Sequence, residues 1–87
     1  MAEVVVKTRI LFFGRLAEQI GREHEVDVPE TGCSVAELRR RLAAQGEPFD
    51  ALAAGKAIAA VDQEIASEET MVVPGQEIAF FSPLSGG

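Results

Sequence analysis

Apolar and polar residues alternate over residues 3–13, with Val4, Val6, Ile10 and Phe12 on one parity and Lys7 and Arg9 on the other. A period of two predicts a strand whose first set faces a core and whose second faces water. Leu16 and Ile20 are four apart and Gly21 follows, which predicts a short helical turn over Arg15–Ile20. Residues 22–28 alternate again and are closed by Pro29, giving a second strand that contains His24 between Glu23 and Glu25. The few residues between these strands leave no room for an ordinary crossover, so the pair is expected to be antiparallel.

Ser34-Val35-Ala36-Glu37 has the form of a capping box, with Ser34 capping the helix start and Glu37 reaching back. The helix is expected to run to about Gln45 and stop at Gly46. Val35, Leu38 and Leu42 form its buried stripe, and Arg39, Arg40 and Arg41 are assigned to its exposed side. Pro48 to Ala53 reads as a second short helix with Phe49 and Leu52 facing in, and Gly55-Lys56 as a turn. Ala57 to Val61 is small and apolar enough to lie inside a sheet. Residues 64–66 and 71–73 read as short extended pieces, Pro74-Gly75 as a turn and Gln76 to Phe81 as the last strand. The order predicts an α+β fold: a mixed sheet of about five strands packed on one main helix.

Composition narrows the function. With 87 residues, 47% of them apolar and 25% charged, the chain fits one small domain. We divide it into a body, residues 1–81, and an extended tail, residues 82–87. The longest apolar run, Ala57 to Val61, is far short of the roughly 20 residues a membrane helix needs. The start, Met1-Ala2-Glu3, carries no secretory pattern, and Cys33 is the only cysteine, so a cytoplasmic location is expected. A net charge of −6 disfavours nucleic acid, and no Lys or Arg follows Lys56. One histidine, His24, and one cysteine give no basis for a zinc or Cys–His centre, and no glycine-rich phosphate loop is present. The chain has almost nothing with which to act as a free-standing enzyme.

Two segments remain. In Phe12-Phe13 and Phe80-Phe81 the neighbours must point to opposite faces of the sheet. Phe13 shares parity with Lys7 and Arg9, and Phe81 with Glu77, so both belong to the wet face, while Phe12 and Phe80 enter the core. Two phenylalanines exposed on one sheet form a patch of the kind that marks a partner surface. The second segment is Ser82-Pro83-Leu84-Ser85-Gly86-Gly87, in which Pro83 stops the strand and six extended residues span up to about 20 Å. Glycine lacks a Cβ, so such an end enters a narrow channel and leaves its terminal carbonyl carbon unshielded. Joining AMP to that carboxylate supplies a leaving group that sulfur or an amine can displace.

Ile10–Glu18 (ILFFGRLAE), Val35–Leu38, Lys56–Gln63 (KAIAAVDQ) and above all Glu77–Gly87 (EIAFFSPLSGG) resemble the small subunits of molybdopterin synthase, the ubiquitin-like sulfur carriers of the molybdopterin-converting factor subunit 1 family. The match spans nearly the whole chain; Asp62 departs from the Asn more usual there. The resemblance implies a ubiquitin-like β-grasp fold. It implies that Gly87, with Gly86 giving access, is adenylated by a ubiquitin-activating-like adenylyltransferase using ATP and Mg²⁺, then converted to a thiocarboxylate. The chain itself is expected to bind no cofactor or metal. The tail, with Pro83, Leu84 and Ser85, would enter the large synthase subunit and give its sulfur to cyclic pyranopterin monophosphate, in a heterotetramer of two small and two large subunits. Phe13, Ile65 and Phe81 match the partner-facing positions; Ile65 comes from the resemblance alone. The tail chemistry also suits a carrier for thiamine or tRNA thiolation, or a modifier joined to lysines.

Overall fold

A computed structural model describes residues 3–47, 49, 52 and 57–82. Its elements are β1 (Val5–Phe13), α1 (Arg15–Ile20), β2 (Glu23–Pro29), β3 (Cys33–Ser34), α2 (Val35–Ala43), β4 (Ile58–Val61), β5 (Glu64–Ala66), β6 (Met71–Val72) and β7 (Ile78–Phe81). The main sheet has the order β2-β1-β7-β4-β5, and β3 and β6 form a separate two-stranded ribbon. β1 and β2 are antiparallel, as their short connection requires, with α1 inside that connection. β1 and β7 are parallel at the sheet centre, with Ile10 opposite Ile78 and Phe13 opposite Phe81. β4 lies between β7 and β5, so the small apolar strand is interior.

One face of this sheet is the core. Ile10, Phe12, Val26, Val28, Ala59, Val61, Ile78 and Phe80 are buried beneath Val35, Leu38 and Leu42 of α2. Phe12 and Phe80 stack with centroids 6.2 Å apart, and Phe49 packs against Phe12 at 6.4 Å. Phe49 and Leu52 are buried as the sequence suggests. The rest of the expected helix over Pro48–Ala53, and the Gly55-Lys56 turn, lie outside the described residues. His24 sits in β2, its ring 4.5 Å from that of Phe49 and its Nε2 2.9 Å from Oε1 of Gln45. Cys33 is buried in the core, which pushes its thiol pKa up and keeps it protonated.

The structure corrects the sequence reading in several places. Val4 and Val6 have the core parity but are exposed. β7 joins β1 only from Ile10 onward, so the first half of β1 has β2 alone beside it. Thr8 is instead the first buried residue of that parity, with its hydroxyl donating to the Val6 carbonyl at 3.0 Å. Pro29 is the last residue of β2 and not its terminator. α2 ends at Ala43, before Gln45, and Gly46, at φ +89°, donates its N–H to the Ala43 carbonyl. Half of the capping box forms: Ser34 Oγ accepts from Glu37 N at 3.1 Å, but the Glu37 carboxylate turns to Arg40 (2.7 Å) and Arg41 (3.0 Å). Those guanidiniums, first Arg40, hold the Glu37 carboxyl below its ordinary pKa.

Arg39 is the largest departure: it is 5% exposed, not on the wet side of the helix. Its Nε donates to Oε1 of Glu68 at 2.9 Å, its Nη2 to Oε2, and its Nη1 to the Leu52 carbonyl at 3.4 Å. The guanidinium carbon lies 5.2 Å from the centre of the Phe80 ring, a cation–π distance. One side chain thus ties α2 to the 67–70 turn, to Leu52 and to β7. The turn between β4 and β5 is also unusual. Asp62 and Gln63 have φ of 51° and 70°, the paired positive values of a tight two-residue hairpin. Asp62 tolerates this and secures the turn: its carboxylate accepts from the Glu77 N–H and the Gln76 side-chain amide, both at 3.0 Å.

Two stability predictions follow from these contacts. Glu68→Ala strands a buried cation and should lower the unfolding free energy by about 2 kcal/mol, less than for a fully buried pair because Glu68 is half exposed. The Arg39 hydrogen bonds hold the Glu68 carboxyl below its ordinary pKa. The stabilisation is therefore complete above the unfolded glutamate pKa of about 4.3 and is lost as pH falls through the lower folded value. Urea unfolding should show a gap between wild type and variant at neutral pH that closes as pH falls below the unfolded glutamate value. A gap independent of pH would mean the contact is not ionic. In the same assay Gln63→Gly should stabilise by roughly 0.5–1 kcal/mol, since glycine adopts positive φ without strain.

Candidate functional site

The sheet face opposite α2 has no covering layer among the described residues. Strand alternation and register decide what it carries. Leu11 is opposite Ala79, Ala79 opposite Ala60, and Ala60 opposite Ile65, so these four form one row across β1, β7, β4 and β5. Phe13, Phe81 and Ile58 form the next row. Phe13 is 52% exposed and Ile65 70%; Phe81, Leu11, Ile58 and Ala60 are half-buried. The two rows make one apolar surface across β1, β7, β4 and β5, and on β2 Glu23, opposite Leu11, ends it. At its corner the end of β1 and α1 enclose an open recess of about 660 Å³, lined in part by Leu11, Phe13, Gly14 and Ala17.

The expected partner-facing residues are thus brought together: Phe13 and Phe81 are neighbours in one row, and Ile65 ends the other. Parity had already placed Phe13 and Phe81 outward and Phe12 and Phe80 inward, and the burial agrees. Parity also contains Leu11, which shares its face with Phe13, and Ile58 and Ala60 on β4, which the sequence analysis passed over. Ile65 could not be found that way, because its strand is three residues long and its facing depends on the hairpin register.

β7 ends at Phe81, and Ser82 is half-buried beside the second apolar row. Pro83, Leu84, Ser85, Gly86 and Gly87 lie outside the described residues. The chain therefore leaves the sheet from its central strand, at the margin formed by the phenylalanines. No acid–base pair or nucleophile borders that point among the described residues: Gly14, Ala57, Phe13 and Phe81 surround it. No described helix is long and apolar enough to cross a membrane.

If the outer row is a surface and the inner row a core, matched truncations must differ. Phe12→Ala should cost about 3–5 kcal/mol and Phe13→Ala less than about 1 kcal/mol. Chemical denaturation of both variants checks this. Equal losses would mean that Phe13 packs as a core residue.

Comparison with known proteins agrees with the geometry. The ThiS family profile matches residues 10–87. The molybdopterin synthase sulfur carrier subunit of Escherichia coli (strain K12) is 36% identical over 80 residues, covering 91% of this chain and 98% of that protein. The subunit of the same name from Haemophilus influenzae (strain ATCC 51907 / DSM 11121 / KW20 / Rd) is 34% identical over 79 residues, covering 90% and 96%. The solution structure of the Haloferax volcanii HVO 2177 protein superposes with a TM-score of 0.71 over 95% of this chain and 88% of that one. At 18% identity that likeness speaks to the fold, which is the mixed-sheet, ubiquitin-like β-grasp architecture the motifs implied. With the profile spanning nearly its full length, and two relatives above 30% identity aligned over nine-tenths of it, the chain belongs to the ThiS family.

Proposed function

We propose that this chain is the sulfur-carrier subunit of a molybdopterin synthase. The observation that carries the reading is the likeness, over almost the whole of both chains, to two subunits of that name. The apolar rows support it, because a carrier must present its body to other proteins while its end reaches into them.

The chemistry is assigned to the tail. The Gly87 carboxylate attacks the α-phosphorus of ATP in an activating enzyme, releasing pyrophosphate and forming an acyl-adenylate. Mg²⁺ belongs to that enzyme's ATP. A sulfur nucleophile then displaces AMP, and the carrier is left with a terminal thiocarboxylate. Gly86 and Gly87 fit a narrow channel because neither has a Cβ. Pro83, Leu84 and Ser85 span the distance from the sheet to the active site of a large subunit. There the thiocarboxylate sulfur passes to cyclic pyranopterin monophosphate, and water restores the carboxylate at Gly87. Phe13, Phe81 and Ile65 dock the body on that large subunit, with two carriers flanking a dimer of large subunits. The carrier supplies no acid or base, since both activation and transfer occur in its partners' sites.

The test is the intact mass of carrier purified from its own cell without acid or reducing steps. A species heavier by the difference between one sulfur and one oxygen atom is expected, and it should vanish when Gly87 is deleted. Phe13→Arg with Ile65→Arg should leave the carrier folded but abolish co-purification of the large subunit. Co-purification of a thiazole synthase in its place would move the chain to thiamine synthesis. A ladder of conjugates lost on removing Gly87 would make it a protein modifier.

A further inference from the structure

The two apolar rows have unlike borders. Next to the Leu11 row, on the side away from the tail, the same face carries Glu25 and Arg9, cross-strand partners in β2 and β1. Glu77 precedes β7 on the same parity. Asp62 is fastened to Glu77 by two bonds, its N–H to the Glu77 carbonyl at 2.7 Å and its carboxylate to the Glu77 N–H at 3.0 Å. The same face also carries two cations, Arg9 at 3.5 Å from Glu23 and Lys7 at 3.8 Å from Asp27, both in exposed pairs and outnumbered by the acids. Glu25, Asp62 and Glu77 are exposed and have no ion pair among the described residues. On the tail side, among the described residues, the Phe13 row is followed by Gly14, Ala57 and Ser82, which are uncharged, with the exposed cation Arg15 beyond Gly14.

This asymmetry has a use. Apolar contact is non-directional, so two rows of hydrophobic residues alone admit a partner in either of two opposed orientations. Only one of these sends the tail into a channel. An acidic border along one side separates the two by electrostatics, which act on encounter and orientation more than on final affinity. A second copy of the chain is a poor occupant, since each copy carries −6 and would set like charges against each other.

Resting on the sulfur-carrier reading, we propose that the large subunit that receives the tail bears a basic strip that lies against Glu25, Asp62 and Glu77, and that this contact sets the direction of docking. Glu77 is four residues from Phe81, or about 13 Å along the strand. The basic strip therefore lies about that far from the mouth of the channel that takes the tail. Docking the wrong way round would leave the carboxylates over that mouth.

The test is stopped-flow association of the full-length carrier with the large synthase subunit of the same organism, over a range of salt. The variants are Glu25→Gln/Glu77→Gln on the border and Glu30→Gln/Glu47→Gln, exposed acids elsewhere, with thermal melts to show that both fold. For wild type the association rate should fall by roughly tenfold or more from low to high salt. The border double variant should associate about tenfold more slowly at low salt and lose most of the salt dependence, while the other double variant stays within about twofold of wild type. Equal effects of the two double variants, or none, would overturn the proposal while leaving the sulfur-carrier reading intact. So would a carrier that dimerises through this face, as shown by sedimentation and abolished by Phe13→Arg. No complex at any salt would sink both.

Discussion

The parallel pairing of β1 with β7 is the constraint on which the rest depends. Each strand contains two adjacent phenylalanines, and the register sets Phe12 opposite Phe80 and Phe13 opposite Phe81. Alternation then sends the first pair into the core, where the rings stack, and the second to the open face. Core and candidate docking surface are thus two sides of one set of backbone hydrogen bonds. A slip of one residue in either strand would place a phenylalanine from each pair on the wrong face, so burial of Phe12 and Phe80 also holds Phe13 and Phe81 in place.

Arg39 performs a related task where regular structure is sparse. The 67–70 turn lies between β5 and β6, outside both ladders. The buried guanidinium reaches it through the Glu68 carboxylate, reaches the Leu52 carbonyl, and lies over Phe80. Burying a cation is favourable only when its donors are used and its charge is met. Both conditions hold, and no buried side-chain nitrogen or oxygen among the described residues lacks a partner. The same group therefore connects the helix to the strand that leads into the tail.

Much of this was legible in the sequence, and the failures have physical causes. Strand parity placed Phe12, Phe13, Phe80 and Phe81 because alternation is a local property. The β1–β2 hairpin followed from the length of its connection. Arg39 was misplaced although its position was readable: it is four residues after Val35 and three before Leu42, hence on their side of the helix. Its charge weighed more than its spacing, and its acceptors, Glu68 and the Leu52 carbonyl, are distant in sequence. Val4 and Val6 had the right parity, but their burial depends on where β7 begins, which no local pattern gives. Ile65 and the alignment of the two apolar rows depend on the register of the β4–β5 hairpin. Asp62 fastens the turn of that hairpin to Gln76 and Glu77 through contacts that its own neighbourhood does not announce. The tail, residues 83–87, lies outside the described residues and is read from its residue types and from the resemblance alone.

On the sulfur-carrier reading, the plainness of the body has a purpose of its own. An activated carboxyl terminus is vulnerable to any amine or thiolate within reach of it. The only thiol, on Cys33, is buried in the core, with its pKa raised by that burial, so it is neither accessible nor ionised at neutral pH. Lys7 lies on the charged half of the open face, beyond Arg9 and away from the phenylalanine margin, and is drawn toward Asp27. Among the described residues, those around the exit of β7 are Gly14, Ala57, Phe13 and Phe81, none of them nucleophilic. Lys56, the other lysine, lies outside the described residues. The described margin offers nothing to intercept the acyl group. Specificity then falls to shape, apolar area and the direction of charge, and the reaction itself is left to whichever active site the tail enters.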